Sequence, residues 1–176
     1  AAYISFNLGE SWQLFSEGLP KVAVHDLVIQ PEAKHLILGT HGRSIYKADI
    51  SNLQSFKPEL LNATTTVFNL EEVRYSTRWG SKRNDWSNAF EPEVTIAFFS
   101  NSKENKTISV ISEDNHVLKE VTLMAEKGYN YWNYNLSVDQ NADKLELKPS
   151  NNSIVYLKQG NYSIQIGDSK TNLIVK

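Results

Sequence analysis

The sequence predicts an all-β chain made of two unlike parts, and three observations carry the prediction. Short apolar or alternating runs rich in Val, Ile and Tyr dominate, namely VAVHDLVIQ, HLILGT, RSIYKAD, EVTIAFFS, KTISVIS, VLKEVTLM, YNYWNYNLSV, SIVYLK, NYSIQI and NLIVK, separated by Gly, Asn, Asp or Pro. The segments with any helical promise, ADISNLQ and NLEEVRYS, are long enough for one turn each. Between residues 51 and 66, SNLQSFKPELLNATTT loses the strand alternation and carries Pro58 and a Thr run, which marks a join. The parts are therefore residues 1–56, a linker over 57–66, and residues 67–176.

The first distinctive element is SFNLGESW, residues 5–12. Asn7 at the head of a tight turn can accept bonds from the backbone amides two residues on, Gly9 supplies a positive φ, and a Ser ties the far side. Trp12 then stands at the start of the next strand, where its ring can cover the turn. These are the parts of a self-contained hairpin corner.

The five residues Ser5, Asn7, Gly9, Ser11 and Trp12 resemble an Asp-box, the S-x-D-x-G-x-T-W signature of bacterial neuraminidase repeats, with Asn7 in the Asp place and Ser11 in the Thr place. The likeness continues through Gly18, Leu19 and Pro20, then Val24, His25, Asp26 and Leu27, then Gly39 to Arg43 with Ile45 and Tyr46. This stretch is similar to the last blade of secreted bacterial propeller proteins of the glycosyl hydrolase-like, sortilin-related family. The resemblance implies that the Asp-box is structural. It also implies that the chain enters at strand three of one blade, supplies strand four as WQLF, and then gives three strands of the next. On that reading it is the C-terminal part of a longer protein, secreted or displayed at the cell surface or in the periplasm, with its signal upstream. Such blades bury their faces only against neighbours, so upstream blades are the expected partners. Ser44 stands where the family has Gly, which makes that turn less permissive at one φ.

The resemblance also sets the candidate site. Blade geometry puts the turn with His41 and Arg43 on the face opposite the Asp-box corner, and His25 and Asp26 on the strand that lines the channel. Asp26, His25, His41 and Arg43 can then form one rim of a sugar- or polyanion-binding cleft, Arg suiting carboxylates and His hydroxyls. The plainer alternative pairs Asp26 with Arg43 across adjacent strands and spends both histidines on backbone groups. Glycoside hydrolysis ordinarily needs two carboxylates about 5 to 10 Å apart, and this stretch offers one, so no catalytic residue is expected.

RYSTRWGSKRNDWSNAFEP, residues 74–92, is an irregular stretch of the length that is usually functional or packed across a sheet. Trp79 and Trp86, with Tyr75 and Phe90, could stack on sugar rings; the alternative is that they plug one end of a sandwich. From Glu93 onward the strands follow the order of a small sandwich, with EDNH as a hairpin turn and Gly128 and Gly160 opening later strands. This part resembles the immunoglobulin-like domain that closes the same propeller proteins. Gly128 and Asn130 fit its G-x-N-x-x-x-W-D-L-R motif, whereas Tyr134, Asn135 and Ser137 depart from it. Residues 159–164, QGNYSI, fit its P-G-x-Y-x-V-x-L motif. That module is associated with spacing or protein contact rather than chemistry.

Bulk properties exclude several classes. The 176 residues are 40% hydrophobic, enough for a core, and the formal charge of −2 with scattered Lys and Arg provides no field for nucleic acid. No apolar run approaches the roughly 18 residues that span a bilayer. There is no cysteine, and the four histidines, His25, His35, His41 and His116, show no HExxH pairing, so neither a metal nor a cofactor is expected. The sequence thus favours a non-catalytic closing blade with an accessory sandwich. An adhesin-like module that binds carbohydrate or protein is the alternative, and a homodimer through exposed strand edges is an expected association.

Overall fold

The computed structural model describes residues 2–15, 18–54, 62–139 and 147–176 and divides into two units, Ala1–Pro58 and Glu59–Lys176. Among the described residues all extended structure is antiparallel except one isolated parallel bridge, and no sheet closes into a barrel. No helix among the described residues is long and apolar enough to cross a membrane.

In the N-terminal unit, β1 (Tyr3–Ile4) and β2 (Gln13–Leu14) form a two-residue ladder, Tyr3 opposite Leu14 and Ile4 opposite Gln13. A separate three-stranded meander follows, β3 (Val24–Gln30), β4 (His35–Thr40) and β5 (Ile45–Asp49), with β4 in the centre. Its inner strand is the better covered, and Leu38 on β4 is buried. On the edge strand β3, Leu27 and Ile29 point to one face and Val28 to the other, yet all three are more than half exposed. The expected single helical turn is α1 (Ser51–Gln54). Asp49 starts it by accepting a 2.7 Å bond from the Ser51 amide, and bonds from Ser51 hold the Asp49 carboxyl below its ordinary range.

The C-terminal unit is sandwich-like. One sheet runs β10–β7–β6, from β6 (Thr65–Val67), β7 (Val94–Ser100) and β10 (Gly128–Tyr134). The other runs β12–β11–β8–β9, from β8 (Glu104–Ser112), β9 (Val117–Ala125), β11 (Gly160–Ile166) and β12 (Ser169–Val175). Period-2 alternation sends Ile96 and Phe98 of β7, Ile108 and Val110 of β8, Ile164 and Ile166 of β11, and Leu173 and Val175 of β12 into one shared core. The polar complement of β8 and β9 faces out, where Thr107 meets Thr122 and Ser109 donates to Glu120. EDNH is the β8–β9 turn, with Asn115 at φ 60 and the Ser112 hydroxyl accepting from the His116 amide.

Three boundaries differ from expectation. Thr65 and Thr66 are not linker but the start of β6, because Thr65 pairs with Ser100 and Thr66 with Phe99. NLEEVRYS is not helical: Val73 bridges Val175 in parallel, donating to Ile174 at 2.8 Å and accepting from Lys176 at 2.8 Å, which covers one edge of β12. SIVYLK is not a regular strand. Leu136 at φ 57 and Ser153 at φ 64 bend the two chains, so pairing shrinks to Val138 with Val155, Leu157 with Leu136 and the Ser137–Tyr156 bridge. Residues 57–61 of the expected linker lie outside the described residues.

Tyr134 anchors this irregular region to the core. Its side chain is fully buried and its hydroxyl donates a 2.8 Å bond to the Ser137 carbonyl. Burial, reinforced by the nearby Asp139, pushes the phenol far above its ordinary pKa of 10. The native state therefore holds the proton more tightly than the unfolded chain does, so this stabilisation is complete below pH 10 and is lost as pH rises above it. Tyr134→Phe leaves the Ser137 carbonyl without its donor and should lower stability by about 1–3 kcal/mol in urea titrations at neutral pH, with a weaker decline than wild type on going alkaline.

Candidate functional site

The corner between β1 and β2 is closed almost entirely by side chains. The Ser5 hydroxyl accepts from the Asn7 amide at 3.3 Å and the Gly9 amide at 2.8 Å, and donates to Asn7 Oδ1 at 3.1 Å. Asn7 Oδ1 also accepts from the Ser11 amide at 2.9 Å, while Asn7 Nδ2 donates to the Ser11 hydroxyl at 2.9 Å. The amide two residues beyond Asn7, that of Gly9, is therefore taken by Ser5 and not by Asn7, which instead takes the Ser11 amide four residues on. Gly9 has φ 94, and Leu8 before it is also left-handed at φ 57. Trp12 lies against Gly9, its Cζ2 3.8 Å from where a Cβ would stand, but the indole is 64% exposed and so does not cover the turn from a core side.

The second feature is the end of β4 and the turn that follows. His41 donates its amide to Ala23 at 3.0 Å, and Thr40 bonds the Ser44 carbonyl through its amide at 3.3 Å and its hydroxyl at 2.6 Å, closing the turn over Gly42 and Arg43. Ser44 sits at φ 89, a glycine-favoured conformation in a residue that carries a side chain. In β3 the register jumps between Val24, opposite Thr40, and Asp26, opposite Gly39, leaving His25 as the extra residue of a bulge.

Of the four rim residues, the structure brings two together. The His25 and His41 rings lie 5.1 Å apart at 36°. Asp26 and Arg43 do not form an ion pair; Asp26 Oδ1 accepts from the adjacent Leu27 amide at 2.8 Å. Helical spacing does not signal this contact, because it is made across strands and depends on the bulge. No group of three or more His, Cys, Asp or Glu able to hold a metal occurs among the described residues.

The third feature is the stretch from Tyr75 to Phe90, where the two tryptophans part company. Trp79 is 4% exposed, edge-on to Tyr75 at 5.0 Å and to Tyr156 at 6.1 Å, so neither ring face is open to a sugar and the residue belongs to the core. Gly80 at φ 80 allows this: an added Cβ would stand 2.5 Å from Asn152 Oδ1 and 2.6 Å from Ser150 Cβ. Trp86, at 96% exposure, rides the tip of a small hairpin. Gly80 donates to Phe90 at 2.8 Å and Phe90 to Ser81 at 2.9 Å at its base. At the tip Asn84 Oδ1 accepts from the Trp86 amide at 3.1 Å, and the Ser87 hydroxyl accepts from the amides of Arg83 and Asn84. Arg78 stacks over Phe90 at 5.8 Å. The Asn84-to-Ser87 lock was not read from the sequence, although an Asn followed by Ser three places on is its signal.

Compared with protein-family models, curated proteins and solved structures, the chain matches none.

Two substitution sets test this geometry. Asn7→Ala removes acceptor and donor at once and should cost the hairpin about 1–2 kcal/mol, whereas Asn7→Asp keeps the acceptor and should preserve it, read from the chemical shifts of residues 3–14. Ser44→Gly relieves a left-handed residue while keeping the carbonyl that Thr40 bonds, and should stabilise the N-terminal unit by about 1 kcal/mol in thermal unfolding.

Proposed function

We propose that this chain is a non-catalytic structural part of a secreted, propeller-type protein of the glycoside hydrolase-like class. The N-terminal unit acts as blade material and the C-terminal unit as an accessory domain of the immunoglobulin-like type. The observation that supports the reading is the Ser5–Asn7–Gly9–Ser11 network, in which the residues that resemble an Asp-box close one hairpin corner through their side chains.

Two further features support it. The meander β3–β5 exposes apolar side chains on both faces of its edge strand, the condition of a sheet that is completed by neighbours of its own kind. Those neighbours would be further blades of the same protein or, through the edge of β3 that no described strand pairs, a second copy of the chain. Asp26, the carboxylate of the rim, accepts from the amide of its own neighbour Leu27 at 2.8 Å.

One observation favours a second reading, a module that binds carbohydrate: Trp86 stands fully exposed on a hairpin whose tip is already locked, so little ordering entropy opposes stacking on a sugar ring. A panel of aryl and oligomeric glycosides should show no turnover by the chain. Turnover that disappears in Asp26→Asn would overturn the proposal, and glycan-array binding abolished by Trp86→Ala would replace it with the second reading.

A further inference from the structure

We propose that His25 and His41 form a two-histidine chelate for a borderline divalent transition-metal ion of the Zn²⁺, Ni²⁺ or Cu²⁺ type. The inference stands on local geometry and does not depend on the blade reading. Both side chains rise from backbone that is already fixed. His25 is the extra residue of the β3 bulge, where such irregularities characteristically re-aim a side chain. His41 is tied to the residue before β3 by its 3.0 Å bond to the Ala23 carbonyl, and the turn beyond it is closed by Thr40 on Ser44.

The ring separation suits a shared ion. Two imidazole nitrogens at about 2.0–2.1 Å from one tetrahedral metal lie about 3.3 Å from each other. Since each nitrogen stands about 1.2 Å from its ring centre, the centroids of such a pair can be up to about 5.7 Å apart. The observed 5.1 Å at 36° falls inside that limit, so side-chain torsions alone can bring one nitrogen of each ring onto a common ion. Both residues are exposed, so an ion can reach them and water can complete its shell.

The donor set also selects among ions. Neutral imidazole favours Zn²⁺, Ni²⁺ and Cu²⁺ over the oxygen-seeking Mg²⁺ and Ca²⁺, and affinity should peak at Cu²⁺. With no cluster of three or more ligating side chains among the described residues, the remaining coordination positions stay open to water or to a donor from a partner. Such a site is exchangeable rather than structural. Its strength over a single histidine comes from the high effective concentration of the second ring.

The test is calorimetric titration of the full chain with NiCl₂, paired with histidine ring spectra recorded during ZnCl₂ titration. The expected result is one ion per chain, with the His25 and His41 ring signals moving together and those of His35 and His116 unmoved. His25→Ala and His41→Ala should each weaken binding at least about tenfold, the loss of a chelate to a single donor, while His35→Ala leaves it unchanged. His25→Asn, which keeps a polar residue at the bulge, should weaken binding equally, and unchanged amide spectra would show that the fold is intact. Binding that follows His35 or His116, binding indifferent to His25, or no saturation below millimolar metal would each overturn the proposal.

Discussion

A neutral amide holds the N-terminal hairpin together. β1 and β2 contribute two residues each, and so short a ladder is marginal in water. What fixes the corner is Asn7, whose side chain accepts from one group of Ser11 and donates to another while also receiving the Ser5 hydroxyl. A carboxylate in that place would make stronger bonds to the amides but would need Ser11 to donate instead of accept. Asn in this place and Asp would therefore build the same corner and differ in the direction of one bond.

Much of this architecture is legible in the sequence because it is local. The corner residues act within four positions of one another, and period-2 alternation was enough to place nearly every strand of the C-terminal unit. What the sequence does not show is set by partners distant along the chain. Trp79 and Trp86 share one loop and one composition, yet the first is buried because Gly80 lets Asn152 and Ser150 approach, residues some seventy places on. Thr65 and Thr66 look like linker until Ser100 and Phe99 supply a neighbouring strand. SIVYLK has a strand's composition but faces a bent partner.

The candidate site divides in the same way. The grouping of His25, Asp26, His41 and Arg43 on one rim is an implication of the resemblance, and of these four the two histidines meet. That the histidines meet while Asp26 turns to its own neighbour's amide depends on a one-residue bulge, which no alternation pattern encodes. Taken separately, the units pose different physical problems. The C-terminal one resolves its apolar surface internally, between two sheets, whereas the N-terminal one leaves apolar side chains of β3 and β5 in water. That contrast ties the fold to the proposed role, since surface of this kind is stable only in company.

The account rests on the Asn7 corner existing in solution, and the most direct measurement is the temperature dependence of the Gly9 and Ser11 amide proton shifts in the intact chain. Small coefficients are expected for both, as for amides held by the Ser5 hydroxyl and Asn7 Oδ1. Water-like coefficients at Gly9 and Ser11 would contradict it.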